Sequence, residues 1–83
     1  MYRLIITPRA RKQLKTLKKS YEIAVKLAIE DIQEDPSIGK PLQRDLTGKS
    51  SYRFGAYRIL YKVNQTDKVI EILSARHRGI VYN

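Results

Sequence analysis

The sequence predicts an α+β fold with the element order β-α-α-β-β-β, in which an antiparallel sheet carries a helical hairpin on one face. Three observations support it. A short β-branched run opens the chain, apolar residues then recur at helical spacing between residues 10 and 32, and alternation of apolar and polar residues follows from residue 51 onward. A run of helices followed by a run of strands is typical of α+β domains.

The first half predicts a strand and two helices. Leu4, Ile5 and Ile6 form the opening strand, and Thr7-Pro8 is typical of an N-cap followed by proline at the first helical position. Ser20 is expected to cap the second helix, which should end at Asp35-Pro36. Each helix has a predicted apolar stripe that faces the core. The stripe of the first helix comprises Ala10, Leu14, Leu17 and Tyr21, and that of the second comprises Tyr21, Ala24, Val25, Ala28, Ile29 and Ile32.

The second half predicts three strands after a connecting loop at residues 36–50. Gly55-Ala56 separates the two strands of a hairpin, and a turn at residues 64–67 leads to the last strand. On the second hairpin strand, alternation should place Tyr57, Ile59, Tyr61 and Val63 on one sheet face and Arg58, Leu60 and Lys62 on the other. With no helix expected after the last strand, this other face should stay open to a ligand.

Size and composition limit the function. Eighty-three residues suit a single domain spanning 1–83 without a large enclosed pocket. The apolar run near the N-terminus is too short for an export signal or a membrane span, so we expect a soluble, cytoplasmic protein without membrane association. The absence of cysteine fits a reducing compartment, and a single histidine argues against the common zinc patterns, so we expect neither a metal nor a cofactor.

The charge distribution indicates a polyanionic partner. Seventeen Lys and Arg residues against eight Asp and Glu give a net charge of +9, which favours RNA or DNA first and an acidic protein second. Residues 1–20 have seven basic and no acidic side chains, residues 21–48 three against six, and residues 49–83 seven against two. If the helices cover one sheet face, basic residues of the strands and tail can gather on the other as a phosphate-binding surface, namely Arg53, Arg58, Arg76 and Arg78.

Two segments together resemble one family. The hairpin segment Gly55-Ala56-Tyr57-Arg58, followed by Ile59-Leu60-Tyr61, and the C-terminal segment Arg76-His77-Arg78, with Val81-Tyr82 shortly after, resemble the RelE/ParE superfamily of toxins from type II toxin-antitoxin pairs. The resemblance is closer to its RelE-type mRNA endoribonucleases and runs over almost the whole chain.

The resemblance implies a RelE-like fold and a toxin that enters the ribosomal A site, cleaves mRNA there and inhibits translation. It further implies a cognate antitoxin that holds the toxin inactive, and a toxin-antitoxin complex that binds operator DNA. By position, the family's phosphate-contacting arginines fall on Arg58 and Arg76, and its C-terminal tyrosine falls on Tyr82. Of two lysines that precede the hairpin in a well-known member, the first falls on Lys49, but the second falls on Ser51, with Arg53 as a nearby substitute charge.

Metal-independent RNA cleavage needs a base for the ribose 2′-OH, cations for the phosphorane and an acid for the leaving 5′-oxygen. Arg58 and Arg76 suit the second task, with Arg53 and Arg78 as further substrate-binding residues. His77, Tyr82 and Lys49 are the candidates for proton transfer, and residue types do not choose among them.

Two other functions use the same sequence features. A ParE-like inhibitor of DNA gyrase would need neither base nor acid. A plain nucleic-acid-binding module is disfavoured, because the sequence shows no recognition helix or aromatic platform.

Overall fold

The computed structural model describes residues 2–43 and 48–77 of the chain. Within them, the structure has two α-helices, one 3₁₀ turn and a five-stranded sheet. In chain order the elements are β1 (Arg3–Ile6), α1 (Pro8–Lys15), α2 (Lys19–Glu34), a 3₁₀ turn (Pro36–Ile38), β2 (Lys40–Pro41), β3 (Lys49–Phe54), β4 (Tyr57–Asn64) and β5 (Val69–His77). The predicted α+β class and the order of its six main elements are confirmed, and β2 is an addition within the predicted loop.

The sheet is mixed, with strand order β1-β5-β4-β3-β2. Neighbours pair antiparallel except β1 and β5, which run parallel. The prediction of an antiparallel sheet is therefore wrong for the first strand. Because the connections between β3, β4 and β5 are short, these strands are neighbours in the sheet. The outer edge of β5 is then available, and β1 pairs with it. Both helices lie between β1 and the other strands in the chain, and a long crossover of this kind permits parallel pairing.

The start of α1 follows the prediction. The Thr7 side chain accepts a hydrogen bond from the Ala10 backbone N–H at 3.3 Å, and Pro8 occupies the first turn. The Thr7 hydroxyl also donates to the Ile72 carbonyl at 2.8 Å. The N-cap of α1 is thereby joined to the neighbouring strand β5.

Helix α2 begins earlier than predicted. Its N-cap residue is Lys18, which makes no side-chain capping bond, so the assignment of Ser20 as the cap is wrong. Only Thr16, Leu17 and Lys18 separate the helices, and the Glu22 N–H already bonds the Lys18 carbonyl at 2.9 Å. The predicted end before Asp35-Pro36 is confirmed.

The core lies between the helices and one face of the sheet. On β4, Tyr57, Ile59 and Tyr61 are buried there and Val63 packs against them, whereas Arg58 and Lys62 are exposed, as the alternation predicts. Tyr21 departs from its predicted burial, because 47% of its surface stays exposed. The clustered core residues are Ala10, Leu14, Val25, Ala28, Ile29, Ile32, Tyr57, Ile59, Tyr61, Ile70, Ile72 and Ala75.

The opposite face of the sheet bears most of the exposed strand residues. No helix of the described segments packs on this face, which agrees with the predicted open surface. Across residues 2–43 and 48–77, neither helix has the length and apolar character needed to cross a membrane.

Candidate functional site

Three arginines lie side by side across the open sheet face. Arg58 on β4 is the register partner of Arg53 on β3 and also of Arg76 on β5. Directly opposed residues of antiparallel strands share a face, with Cβ atoms about 4.5–5.5 Å apart. The fold thus places three guanidinium-bearing side chains in one line, which we name the arginine row (Arg53, Arg58 and Arg76).

The arginine row is accessible to a large ligand. Arg53 and Arg58 are exposed and Arg76 is half-buried. Within the described part of the chain, neither Arg53 nor Arg58 forms an ion pair with a carboxylate. Like charges directly opposed on a sheet destabilise it by some tenths of a kcal/mol. A phosphate bound between them would offset that repulsion, because one guanidinium can hold two phosphate oxygens.

Lys49 lies on the same face but farther along the sheet. It pairs with Lys62, whereas Arg53, four residues later on β3, pairs with Arg58. Four residues of strand span about 13 Å. Lys49 and the arginine row therefore occupy opposite ends of the β3–β4 ribbon, with Ser51 between them.

The described residues include only part of the predicted C-terminal cluster. His77 is the last residue of β5, and its backbone pairs with that of Tyr57. Arg78 and Tyr82 lie outside the described residues. The convergence of Tyr82 with Arg58 and Arg76 therefore stays a prediction, and so do the roles of His77 and Arg78.

The hairpin tyrosines pack in the protein. Tyr57 is 6% exposed, with its ring centroid 5.4 Å from that of Tyr21 and 5.9 Å from that of Phe54. Burial, and secondarily the neighbouring Tyr21, raises the pKa of Tyr57. Tyr57 is accordingly neutral at physiological pH and has little surface left on which a nucleobase could stack.

A cleft adjoins the β3 end of the arginine row. Its volume is about 510 Å³, and it is lined by Ile38, Lys40, Leu42, Ser51, Tyr52, Arg53 and Arg58. Sequence reasoning missed Ile38, Lys40 and Leu42, because they fall in the predicted loop, where no periodicity assigns residues to a face. Only the pairing of β2 with β3, in which Lys40 opposes Ser51, brings them to the site.

Residues 2–43 and 48–77 hold no group of three or more His, Cys, Asp or Glu side chains arranged to bind a metal ion. The ionic character of the site described so far comes from arginine and lysine.

Comparison with known protein families identifies the class of protein to which this fold and this basic face belong. Residues 4–82 match the family described as the ParE toxin of the type II toxin-antitoxin system parDE. The chain therefore belongs to this family of toxins, within the RelE/ParE superfamily that the hairpin and C-terminal segments resemble.

Particular relatives agree with this assignment. The chain is 36% identical to Toxin RelG of Mycobacterium tuberculosis over an alignment of 83 residues. The alignment covers 98% of this chain and 95% of the relative. The toxin-antitoxin complex RelBE2 of the same organism contains a chain with a TM-score of 0.85 and 37% identity, covering 93% of this chain and 98% of that one. The isolated E. coli RelE toxin has a TM-score of 0.81 at 20% identity, covering 98% and 88% of the two chains, and shows the shared fold.

Proposed function

We propose that the protein is a ribosome-dependent endoribonuclease that cleaves mRNA in the A site and thereby inhibits translation. The observation that carries the proposal is the register of Arg58 opposite both Arg53 and Arg76 on an open sheet face. The resemblance of the hairpin and C-terminal segments to RelE-type enzymes supports it, as does the similarity to toxins named RelG and RelE.

The reaction is a transfer within the RNA backbone. The ribose 2′-oxygen loses its proton to a base and attacks the adjacent phosphorus, and the bond to the 5′-oxygen breaks as an acid protonates that oxygen. The products are a 2′,3′-cyclic phosphate and a 5′-hydroxyl. Arg58 and Arg76 hold the phosphate oxygens and stabilise the additional charge of the phosphorane, while Arg53 and Arg78 bind substrate phosphates.

Proton transfer falls to His77, Tyr82 or Lys49. Histidine titrates near neutrality with an ordinary pKa of about 6.5, whereas tyrosine, at about 10, becomes a usable base only where neighbouring cations lower its pKa. Comparing pH–rate profiles of wild type, His77→Gln and Tyr82→Phe tests these roles. Loss of a pH-dependent limb of the profile in His77→Gln, with that limb retained in Tyr82→Phe, assigns the limb to histidine, and the reverse result assigns it to tyrosine.

The partners follow from the same proposal. The relatives solved as toxin-antitoxin complexes support a cognate antitoxin that blocks the toxin in the cytoplasm, and the toxin-antitoxin complex is proposed to bind operator DNA. The free toxin binds the ribosome and its mRNA. A basic protein of net charge +9 should bind these polyanions with strong dependence on salt concentration.

Cleavage on programmed ribosomes tests the activity. We expect purified toxin to cut mRNA within the A-site codon, and Arg58→Ala or Arg76→Ala to slow cutting by about 10²-fold or more, as expected when a group that stabilises transition-state charge is removed. Arg11→Ala, at an exposed position of α1, is the matched control and should retain wild-type cleavage. Intact mRNA with wild-type toxin would overturn the proposal.

One observation favours a second function, inhibition of DNA gyrase. The matching family is described by its ParE toxin, and the superfamily resemblance includes gyrase inhibitors of the same fold. Supercoiling by gyrase in the presence of the toxin separates the two functions. Blocked supercoiling together with uncut mRNA would establish the second.

A further inference from the structure

The cleft beside the arginine row has the composition of a nucleotide site. Arg53, Arg58 and Lys40 supply three cations, Ser51 supplies a hydroxyl, and Ile38 and Leu42 supply apolar surface. None of the residues that line it within the described segments 2–43 and 48–77 is acidic. We propose that this cleft binds one nucleotide of single-stranded RNA next to the phosphodiester held by the arginine row, with Lys40 contacting its phosphate; this rests on the proposed function.

The register places the polar residues of the cleft on one face. Lys40 opposes Ser51 across β2 and β3, and Arg53 opposes Arg58 across β3 and β4. Ser51 and Arg53 are two residues apart on β3 and so share a face. Lys40 therefore lies on the same face as Arg53, one strand nearer the edge of the sheet and displaced by two residues along it. An RNA strand lying obliquely across the sheet meets it after Arg53.

The volume of the cleft suits a single nucleotide. Ligand sites in proteins have volumes of roughly 300–1,000 Å³, and the cleft, at about 510 Å³, lies in this range. An unpaired base can reach the apolar surface of Ile38, which is 38% exposed, and of half-buried Leu42. In a duplex the bases are stacked and paired, so single-stranded RNA is the matching substrate.

The backbone that presents Lys40 is held in place. The N–H of the preceding residue, Gly39, donates to the Tyr61 hydroxyl at 3.0 Å, and the following Pro41 has a restricted φ. Leu42 closes the short strand with a hydrogen bond from its N–H to the Lys49 carbonyl at 2.9 Å. The backbone of Lys40 is thus fixed at the edge of the sheet, beside the cleft that its side chain lines.

Binding of an RNA trinucleotide with 2′-O-methyl riboses, which cannot be cleaved, tests the proposal on the purified full chain. We expect NMR titration to shift the backbone amides of Lys40, Ser51 and Arg53. Lys40→Gln should raise the Kd about five- to tenfold, in line with loss of one solvent-exposed hydrogen bond. Lys15→Gln removes the same charge from exposed α1 and should change the Kd less than twofold.

Ribosomal cleavage by the same variants adds a second measurement. Because Lys40 contacts no reacting atom, Lys40→Gln should raise KM with kcat within twofold of wild type, and Ile38→Ser should raise KM in the same way. Equal weakening of trinucleotide binding by Lys40→Gln and Lys15→Gln would overturn the nucleotide site, because only overall charge would then matter. Trinucleotide binding at the cleft by a toxin that leaves mRNA intact would support the site and reject the endoribonuclease.

Discussion

The Tyr61 hydroxyl on β4 accepts a hydrogen bond from the Gly39 backbone N–H at 3.0 Å and donates one to the Pro36 carbonyl. The Tyr61 ring is fully buried in the core, so these bonds join the core to the segment that leads into β2. A Cβ atom on Gly39 would lie 2.8 Å from the Tyr61 ring, which explains why glycine suits this position. The edge of the candidate RNA cleft is thereby positioned by a residue of the hydrophobic core.

Tyr61→Phe tests this connection. The ring stays, but the Gly39 N–H and the Pro36 carbonyl lose their partner, and leaving buried polar groups unpaired costs about 1–3 kcal/mol. We expect the free energy of unfolding to fall by that amount in urea denaturation. Tyr21→Phe removes a hydroxyl from a side chain that is 47% exposed and should change stability by less than about 0.5 kcal/mol. Equal stability of the two variants would contradict the proposed role of the hydroxyl.

Thr7→Ala should destabilise the protein through two lost contacts. The hydroxyl caps α1 by accepting from the Ala10 N–H, and it donates to the Ile72 carbonyl on β5. Loss of an N-cap costs about 0.5–2 kcal/mol, and we expect the upper half of that range because the bond to β5 is lost as well. Thr16→Ala is the control, since its hydroxyl makes an exposed bond to the Gln13 carbonyl. Thermal unfolding should show a clearly larger fall in Tm for Thr7→Ala than for Thr16→Ala.

Stability should decline in alkaline solution because two buried tyrosines must ionise on unfolding. Burial is the main cause that raises the pKa of Tyr57 and of Tyr61 above the ordinary value of 10.0. For a group whose folded-state pKa is raised, the contribution to stability is complete below the unfolded pKa and is lost as pH rises through the folded one. Urea denaturation between pH 9 and 11 should show this decline, and Tyr57→Phe should make it shallower. An unchanged slope in Tyr57→Phe would show that Tyr57 does not contribute to it.

The elements that the sequence predicts best are those with a strong local signal. The Thr7-Pro8 start of α1, its apolar stripe at Ala10 and Leu14 and the alternation along β4 follow from residue types and spacing, and the structure agrees with each. The same alternation predicts that Arg58 lies on the open face, where the structure places it. That Arg58 lies opposite Arg53 and Arg76 depends on the register of the strands. The short Gly55-Ala56 turn indicates the register of Arg58 with Arg53 but not that of Arg58 with Arg76.

Features that depend on contacts between distant segments were not predicted. The parallel pairing of β1 with β5 joins residues such as Ile5 and Glu71, and no local pattern encodes it. Strand β2 has two residues, too few to show a periodicity, and it forms because β3 offers an edge and Tyr61 holds Gly39. The contribution of Lys40 to the candidate site was invisible in the sequence for the same reason.

Arg58→Lys tests whether the arginine row acts through charge alone. Lysine keeps the positive charge but presents it as a single point, whereas the planar guanidinium can hold two oxygens of one phosphate. If the row grips the scissile phosphate as proposed, Arg58→Lys should slow A-site cleavage by at least about tenfold, while the affinity for an uncleavable RNA trinucleotide falls much less. Arg11→Lys, an equivalent change on exposed α1, should alter neither quantity. Cleavage by Arg58→Lys at the wild-type rate would show that only net charge is required at this position, and would remove the geometric argument for an arginine on β4.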